Sequence, residues 1–134
     1  MTKWDVLEHV LVGNPEKVPL EFWADQEFVF HAIHWNGFNF RFANDDLKKD
    51  KEFVLKVIKY WGYAFEYAHQ SLKQDKEFLL KAVECNGLVL KYVDESLRTN
   101  KEFILKVLEV YKPAFEYIDE QLKYDKEIIA KFSN

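Results

Sequence analysis

Residues 75–99 read DKEFLLKAVECNGLVLKYVDESLRT, and this stretch recurs in register along most of the chain. Residues 50–74 are DKEFVLKVIKYWGYAFEYAHQSLKQ, and residues 25–49 are DQEFVFHAIHWNGFNFRFANDDLKK. Residues 100–124 are NKEFILKVLEVYKPAFEYIDEQLKY, and a fifth copy opens at Asp125 with DKEIIAKF. The four full copies align without insertion. A fixed period of ~20–50 residues marks a repeat array, in which no unit can bury its apolar face alone.

The repeat is written here with its Asp as position one. Asp25, Asp50, Asp75 and Asp125, with Asn100 in the fourth copy, stand where a helix N-cap accepts hydrogen bonds from orphan backbone N–H groups. Glu27, Glu52, Glu77, Glu102 and Glu127 follow in the first turn, where the helix dipole favours an anion. At ~100° per residue, positions four, five, six, eight and nine cover an apolar arc of roughly 200°. In the third copy these are Phe78, Leu79, Leu80, Ala82 and Val83, with Glu77, Lys81 and Glu84 on the remaining polar wedge. So wide an arc predicts a helix covered on two sides.

Asn36-Gly37, Trp61-Gly62 and Asn86-Gly87 end this helix, since Gly tolerates the left-handed C-cap conformation. Lys112-Pro113 takes that place in the fourth copy and predicts a corner of different shape. A second, shorter helix follows, with Leu90, Tyr92 and Val93 inward and Phe65, Tyr67, Ala68 and Phe115, Tyr117, Ile118 as counterparts. A polar segment such as Asp94-Glu95-Ser96 and an apolar Leu97 then close the unit. The expected fold is all-α: a right-handed stack of short helix-turn-helix repeats at a 25-residue period, forming a small α-solenoid. Residues 1–134 read as a single repeat domain. Full repeats occupy 25–49, 50–74, 75–99 and 100–124, flanked by a capping unit over 1–24 and a truncated unit over 125–134. In the capping unit Trp4, Leu7, Val10 and Leu11 recur at helical spacing, and Gly13-Asn14-Pro15 breaks the pattern.

Composition narrows the function. Hydrophobic residues make up 49% and aromatics 17%, enough for a packed core. Net charge is −4, from 19 basic and 23 acidic side chains intermixed along the chain. Phosphate-tracking proteins cluster Lys and Arg, so nucleic acid is disfavoured as a partner. Cys85 is alone, which suits a reducing compartment. MTKWDVLEHV lacks the apolar run of a signal peptide, and no long apolar segment follows, so the reading is cytoplasmic with no membrane partner.

The motif D-K-E-F-x-L-K-A-V-x-x-N-G-x-x-L-x-Y-x-x-E-x-L resembles the tandem helical repeat family catalogued as domain of unknown function 4116. Asp75–Thr99 matches best, and the resemblance runs from Asp25 to the C-terminus. Trp61 and Tyr111 depart from it where Asn is usual, and Lys112-Pro113 departs where Gly is usual. The resemblance implies a short helical repeat used in arrays, and implies no activity and no catalytic residues.

Positions that differ between copies are where function is written. Trp35, Phe38, Tyr60, Trp61, Tyr63 and Tyr111 occupy the corners and predict an aromatic ridge that binds a partner, because Trp and Tyr dominate interface hot spots. The competing reading packs these rings between neighbouring corners as core. His31 and His34 have a metal-ligand spacing, but they fall on the polar wedge without a Cys pair, so no metal and no cofactor is expected. Cys85 replaces Trp35, Tyr60 and Val110 at position eleven and reads as a filler rather than a nucleophile. Asn44-Asp45-Asp46, Asp94-Glu95 and Asp119-Glu120 read as caps of a short turn, with a ridge of acid contacting a basic partner as the alternative. The expectation is a non-enzymatic protein-protein interaction module, a small inhibitor or regulator of a larger protein. The alternatives are single-stranded nucleic-acid binding through stacked aromatics, or an oligomerising scaffold. At the C-terminal end Ile128, Ile129 and Phe132 lack a repeat-supplied cover. Either Phe132 folds back over them or two chains meet there as a homodimer.

Overall fold

The computed structural model describes residues 2–11 and 13–134, leaving out Met1, Val12 and the side chains of Val10 and Leu11. Every regular element among the described residues is helical. The α-helices are α1 (Lys3–Leu11), α2 (Gln26–Trp35), α3 (Asp45–Lys48), α4 (Lys51–Tyr60), α5 (Gln70–Lys73), α6 (Lys76–Cys85), α7 (Glu95–Arg98), α8 (Lys101–Val110) and α9 (Lys126–Ser133). Backbone proximity groups them into two bodies, Met1–His69 and Gln70–Asn134.

Each long helix starts where local chemistry demands. Asp25, Asp50, Asp75 and Asn100 accept from the backbone N–H of Phe28, Phe53, Phe78 and Phe103, and Asp125 from Glu127 and Ile128. Positions four, five, eight and nine are then buried in all four full repeats: Phe28, Val29, Ala32 and Ile33 in the first, Phe103, Ile104, Val107 and Leu108 in the fourth. Position six, expected inside, is only half-buried at Phe30, Leu55, Leu80 and Leu105. It lies at the rim of the apolar arc, beside the solvated position ten, and so forms a boundary rather than a core.

Beyond the long helix, the single second helix of the sequence reading resolves into two segments. A six-residue 3₁₀ helix comes first, at Gly37–Phe42, Gly62–Tyr67, Gly87–Tyr92 and Lys112–Tyr117. A four-residue α-helix (α3, α5 or α7) follows in three repeats, and a 3₁₀ turn over Glu120–Tyr124 replaces it in the fourth. Asn44, Asp94 and Asp119 cap these last segments through the N–H groups of Asp46, Ser96 and Gln121. Phe40, Phe65 and Leu90 of the 3₁₀ helices are fully buried, as are Ala64 and Val89. Tyr67, Tyr92 and Tyr117, expected inward, are half-buried. Tertiary packing explains the tight winding: a six-residue helix with two inward side chains gains little from 13-atom rings and follows the surface it covers.

The corners correct a second expectation. Gly13 is the glycine with left-handed φ, at 83°, among the described residues. The corner residues before the glycines are extended, with φ of −157° at Asn36 and −160° at Asn86. At 37 and 87 a tyrosine ring takes the room that a Cβ would enter. A Cβ at 37 would meet the Tyr63 hydroxyl and sit 2.7 Å from its ring Cζ, and one at 87 would sit 2.5 Å from Tyr111 Cε2. The Lys112-Pro113 corner is not reshaped either. Tyr111 has φ −155° and ψ 91°, close to Asn86, and Pro113 fits the first turn of the 3₁₀ helix, where a missing N–H costs nothing.

In the N-terminal body Asn44 N–H bonds to the Trp23 carbonyl of the capping unit at 2.8 Å, and His69 N–H ties the second repeat to the first through the Lys48 carbonyl at 3.0 Å. In the C-terminal body the matching bond runs from Asp94 to Lys73 at 3.1 Å. The ends use a shared device. Lys3 donates to Asp25 at 2.8 Å and Lys101 donates to Asp125 at 3.0 Å and Glu127 at 2.8 Å. The Lys3 hydrogen bond, reinforced by the Phe28 N–H, holds the Asp25 carboxyl below its ordinary 3.8, and Lys101 does the same for Asp125. In α1, Thr2 and Asp5 bond reciprocally as a capping box. Val6 is buried there, but Trp4, expected in the apolar stripe, is 46% exposed and meets His31 edge-on at 4.8 Å. Leu7 is half-buried, and the side chains of Val10 and Leu11 lie outside the described residues. At the other end Phe132 stacks on Phe115 at 4.3 Å, while Ile128 is buried and Ile129 stays 43% exposed.

Candidate functional site

In the N-terminal body the corner residues separate into two ring groups. Tyr60 and Trp61, at the C-terminus of α4, meet each other at 5.6 Å and both meet Phe30 of α2, at 6.4 and 5.9 Å. His34, one turn after Phe30, sits edge-on to Trp61 at 5.6 Å. Phe38 and Tyr63, on successive 3₁₀ helices, pair at 5.0 Å, and Tyr67 joins Phe38 at 6.1 Å. Trp35 is 63% exposed and joins neither group among the described residues. In the C-terminal body Tyr111 is half-buried with its ring against Gly87.

Position eleven is therefore open, as Tyr60 (61% exposed) and Val110 (41%) also show, whereas positions twelve and fourteen are partly drawn into packing. Why Tyr63 and Tyr111 share a task follows from the chain. In the second repeat position fourteen is Tyr63, which fills the space over Gly37, while Trp61 at position twelve is half-buried against Phe30, His34 and Tyr60. In the fourth repeat position fourteen is Pro113, too short to reach, and Tyr111 at position twelve fills the space over Gly87 instead.

Phe30, His34, Lys56, Lys59, Tyr60 and Trp61 line an open pocket of about 400 Å³. Lys56 Nζ lies 4.2 Å from the Phe30 ring centroid and Lys59 Nζ 5.7 Å from that of Tyr60, both cation–π contacts. Sequence reading found Tyr60 and Trp61 but missed Phe30 and the two lysines. The signal was available: Phe30 is an aromatic at the rim position six, where the other repeats carry Leu55, Leu80 and Leu105.

In the C-terminal body a polar pocket of about 320 Å³ is lined by Glu95, Arg98, Thr99, Tyr117, Ile118, Asp119 and Glu120. Its groups are mostly occupied by the fold. The Asp119 carboxylate caps Gln121, and the Thr99 hydroxyl donates to the Glu95 carbonyl. Arg98 Nε is buried without a hydrogen-bond partner. Nearby Asp94 is held below the ordinary carboxylate value chiefly by the Ser96 hydroxyl, helped by the Ser96 N–H, Gln74 and Gln70, and is a cap rather than a base. Cys85 is exposed. His31 and His34 face different tryptophans, and no group of three or more potential metal ligands occurs among the described residues. No helix among them is long and apolar enough to cross a membrane.

The frame is thus a capped ten-residue helix, a corner, a 3₁₀ helix and a short closing segment, with a Tyr ring packed over the corners at Gly37 and Gly87. The family described as Domain of unknown function (DUF4116) matches residues 25–73, 50–98 and 100–132. The chain belongs to this family. Its DUF4116 units account for the capped helices and the corners but assign no activity to them. Neither the curated proteins nor the solved structures gave a match.

Proposed function

We propose that this DUF4116 protein is a non-enzymatic protein-binding module, acting as a small inhibitor or regulator that occludes a larger partner. The observation that carries the reading is the surface cluster in which Tyr60, 61% exposed, groups with half-buried Phe30 and Trp61 in the N-terminal body, with Trp35 also exposed in that body. Grouped aromatic side chains left partly in water mark interaction sites, and Trp and Tyr anchors there are worth ~2 kcal/mol or more each. Phe38 at 44% exposure extends the candidate surface; Tyr63 and Tyr111 contribute mainly by shaping the corners. The finer architecture, a right-handed stack at a 25-residue period, belongs to the same proposal; its period is supported by the bonds of Asn44 to Trp23 and of His69 to Lys48, which recur one period apart. A cytoplasmic setting fits the single Cys85.

The test compares capture of proteins from native lysate by the wild-type chain and by a Trp35→Ala/Tyr60→Ala/Trp61→Ala variant, with circular dichroism on both. These side chains are exposed or half-buried, so the variant is expected to stay helical. A protein retained by wild type and lost by the folded variant supports the reading. Retention by both removes the aromatic surface from the interface.

A further inference from the structure

We infer that the groove between α2 and α4 takes an acidic peptide segment bearing one large apolar side chain. This rests on the protein-binding reading and specifies its ligand. The aromatic pocket adjoins a second of about 360 Å³, lined by Gln26, Glu27, Phe30, His31 and Lys56. Phe30 and Lys56 line both, so the two run together as one groove along the seam of the helices. An extended groove suits a length of chain. Each part is near the low end of the ~300–1,000 Å³ range of ligand pockets, room for one large side chain rather than a run of them.

The charge of the groove is sorted along its length. The end built from His34, Lys59, Tyr60 and Trp61 has no carboxylate in its lining, although the chain as a whole is net negative at −4. Glu27 stands at the other end. Among the described residues no carboxylate lies within ion-pair distance of Lys56 or Lys59, whereas Lys3 and Lys101 are fully engaged by carboxylates. Lys56 and Lys59 rest instead on ring faces, and their three donors remain available. A carboxylate arriving here forms charge-assisted hydrogen bonds beside an apolar floor, while a neighbouring Phe- or Leu-sized side chain packs in the open pocket against Phe30, Tyr60 and Trp61.

The charge is not a by-product of the fold. Fifty residues on, the same register positions hold Leu80, Glu84, Lys106, Glu109, Val110 and Tyr111, with two acids in place of His34 and Lys59. A nucleic-acid strand would also bring anions, but base stacking needs free ring faces, and Lys56 covers that of Phe30.

Fluorescence anisotropy decides the matter with labelled probes: a glutamate-rich peptide with one central Phe, its lysine-rich counterpart, its counterpart with Ser for Phe, and oligo-dT. The Glu/Phe peptide is expected to bind, with each other probe at least about tenfold weaker. Lys56→Glu/Lys59→Glu, at two exposed positions, is expected to lose at least about tenfold in affinity for it, and Trp61→Ala likewise, both checked for retained helicity. Equal binding of the glutamate and lysine peptides, tighter binding of oligo-dT, indifference to the double variant, or no binding at millimolar peptide each overturns the inference. Partner capture from lysate that needs Tyr60 and Trp61 but survives Lys56→Glu/Lys59→Glu would leave the protein-binding reading standing and remove the acidic ligand.

Discussion

The first and second repeats meet in the N-terminal body over Phe30, His34, Lys56, Lys59, Tyr60 and Trp61; the third and fourth carry Leu80, Glu84, Lys106, Glu109, Val110 and Tyr111 at the same register. One seam is aromatic and cationic, the other aliphatic and largely acidic. Their frames agree closely, with the same caps, the same buried positions and corners of similar backbone angles. The contrast teaches that the frame tolerates either surface, so the frame does not dictate the chemistry of the N-terminal seam. It also shows one structural requirement met two ways, by Tyr63 over Gly37 and by Tyr111 over Gly87.

The comparison is broken most severely in the core. Phe65 is fully buried in the N-terminal body, while its counterpart Phe115 is half-buried beneath Phe132. Phe65→Ala should cost ~3–5 kcal/mol in urea denaturation, and Phe115→Ala clearly less, because less packing is lost. Equal costs would mean that half-burial takes nothing from the packing Phe115 contributes.

Next comes the exchanged corner. Gly37→Ala and Gly87→Ala should each cost ~1–3 kcal/mol by crowding a ring. Tyr63→Ala should relieve the first and Tyr111→Ala the second, giving coupling of ~0.5–3 kcal/mol in double-mutant cycles. Pro113→Ala should leave the cost of Gly87→Ala unchanged; relief there would sink the assignment of Tyr111 to that space.

Making one seam resemble the other is a gentler change to stability. His34→Glu/Lys59→Glu installs the C-terminal residues in the N-terminal groove at exposed positions, so the denaturation midpoint should move by no more than ~0.5 kcal/mol equivalent. Binding of the Glu/Phe peptide should nevertheless fall at least about tenfold.

The smallest effect concerns the two ends, which share the lysine-to-cap pair. Asp25 and Asp125 have carboxyls held below their ordinary 3.8 by Lys3 and Lys101. The unfolded chain therefore binds more protons than the native one at acid pH. The contribution is fully present above the unfolded value and disappears as pH falls through the native one, so stability should begin to decline below about pH 5. Asp25→Asn and Asp125→Asn should flatten this slope while keeping the caps, as Asn100 does naturally. An unchanged slope in both would show that the pairs do not act.

Legibility in the sequence followed the range of the forces. The caps at Asp25, Asp50, Asp75, Asn100 and Asp125 could be read directly, since an N-cap bond spans three residues and owes nothing to distant chain. Buried positions four, five, eight and nine were equally plain from helical periodicity. The candidate site was legible in half: Tyr60 and Trp61 stood out as corner aromatics, but Phe30, Lys56 and Lys59 are joined to them across a seam between repeats. Helical spacing within one repeat does not say which neighbour meets which.

By itself, then, the sequence determined an all-helical DUF4116 repeat chain, its long helices, their starting residues and their inner faces, because each rests on bonds and periodicities within ten residues. Tertiary structure decided the rest. It wound the second segment as 3₁₀, placed tyrosine rings in the room a Cβ at 37 or 87 would need, and set Trp61 against Phe30 across the seam between repeats. Those outcomes depend on which side chain of the next repeat reaches a given gap first, and volume is shared between repeats in a way that no single repeat records.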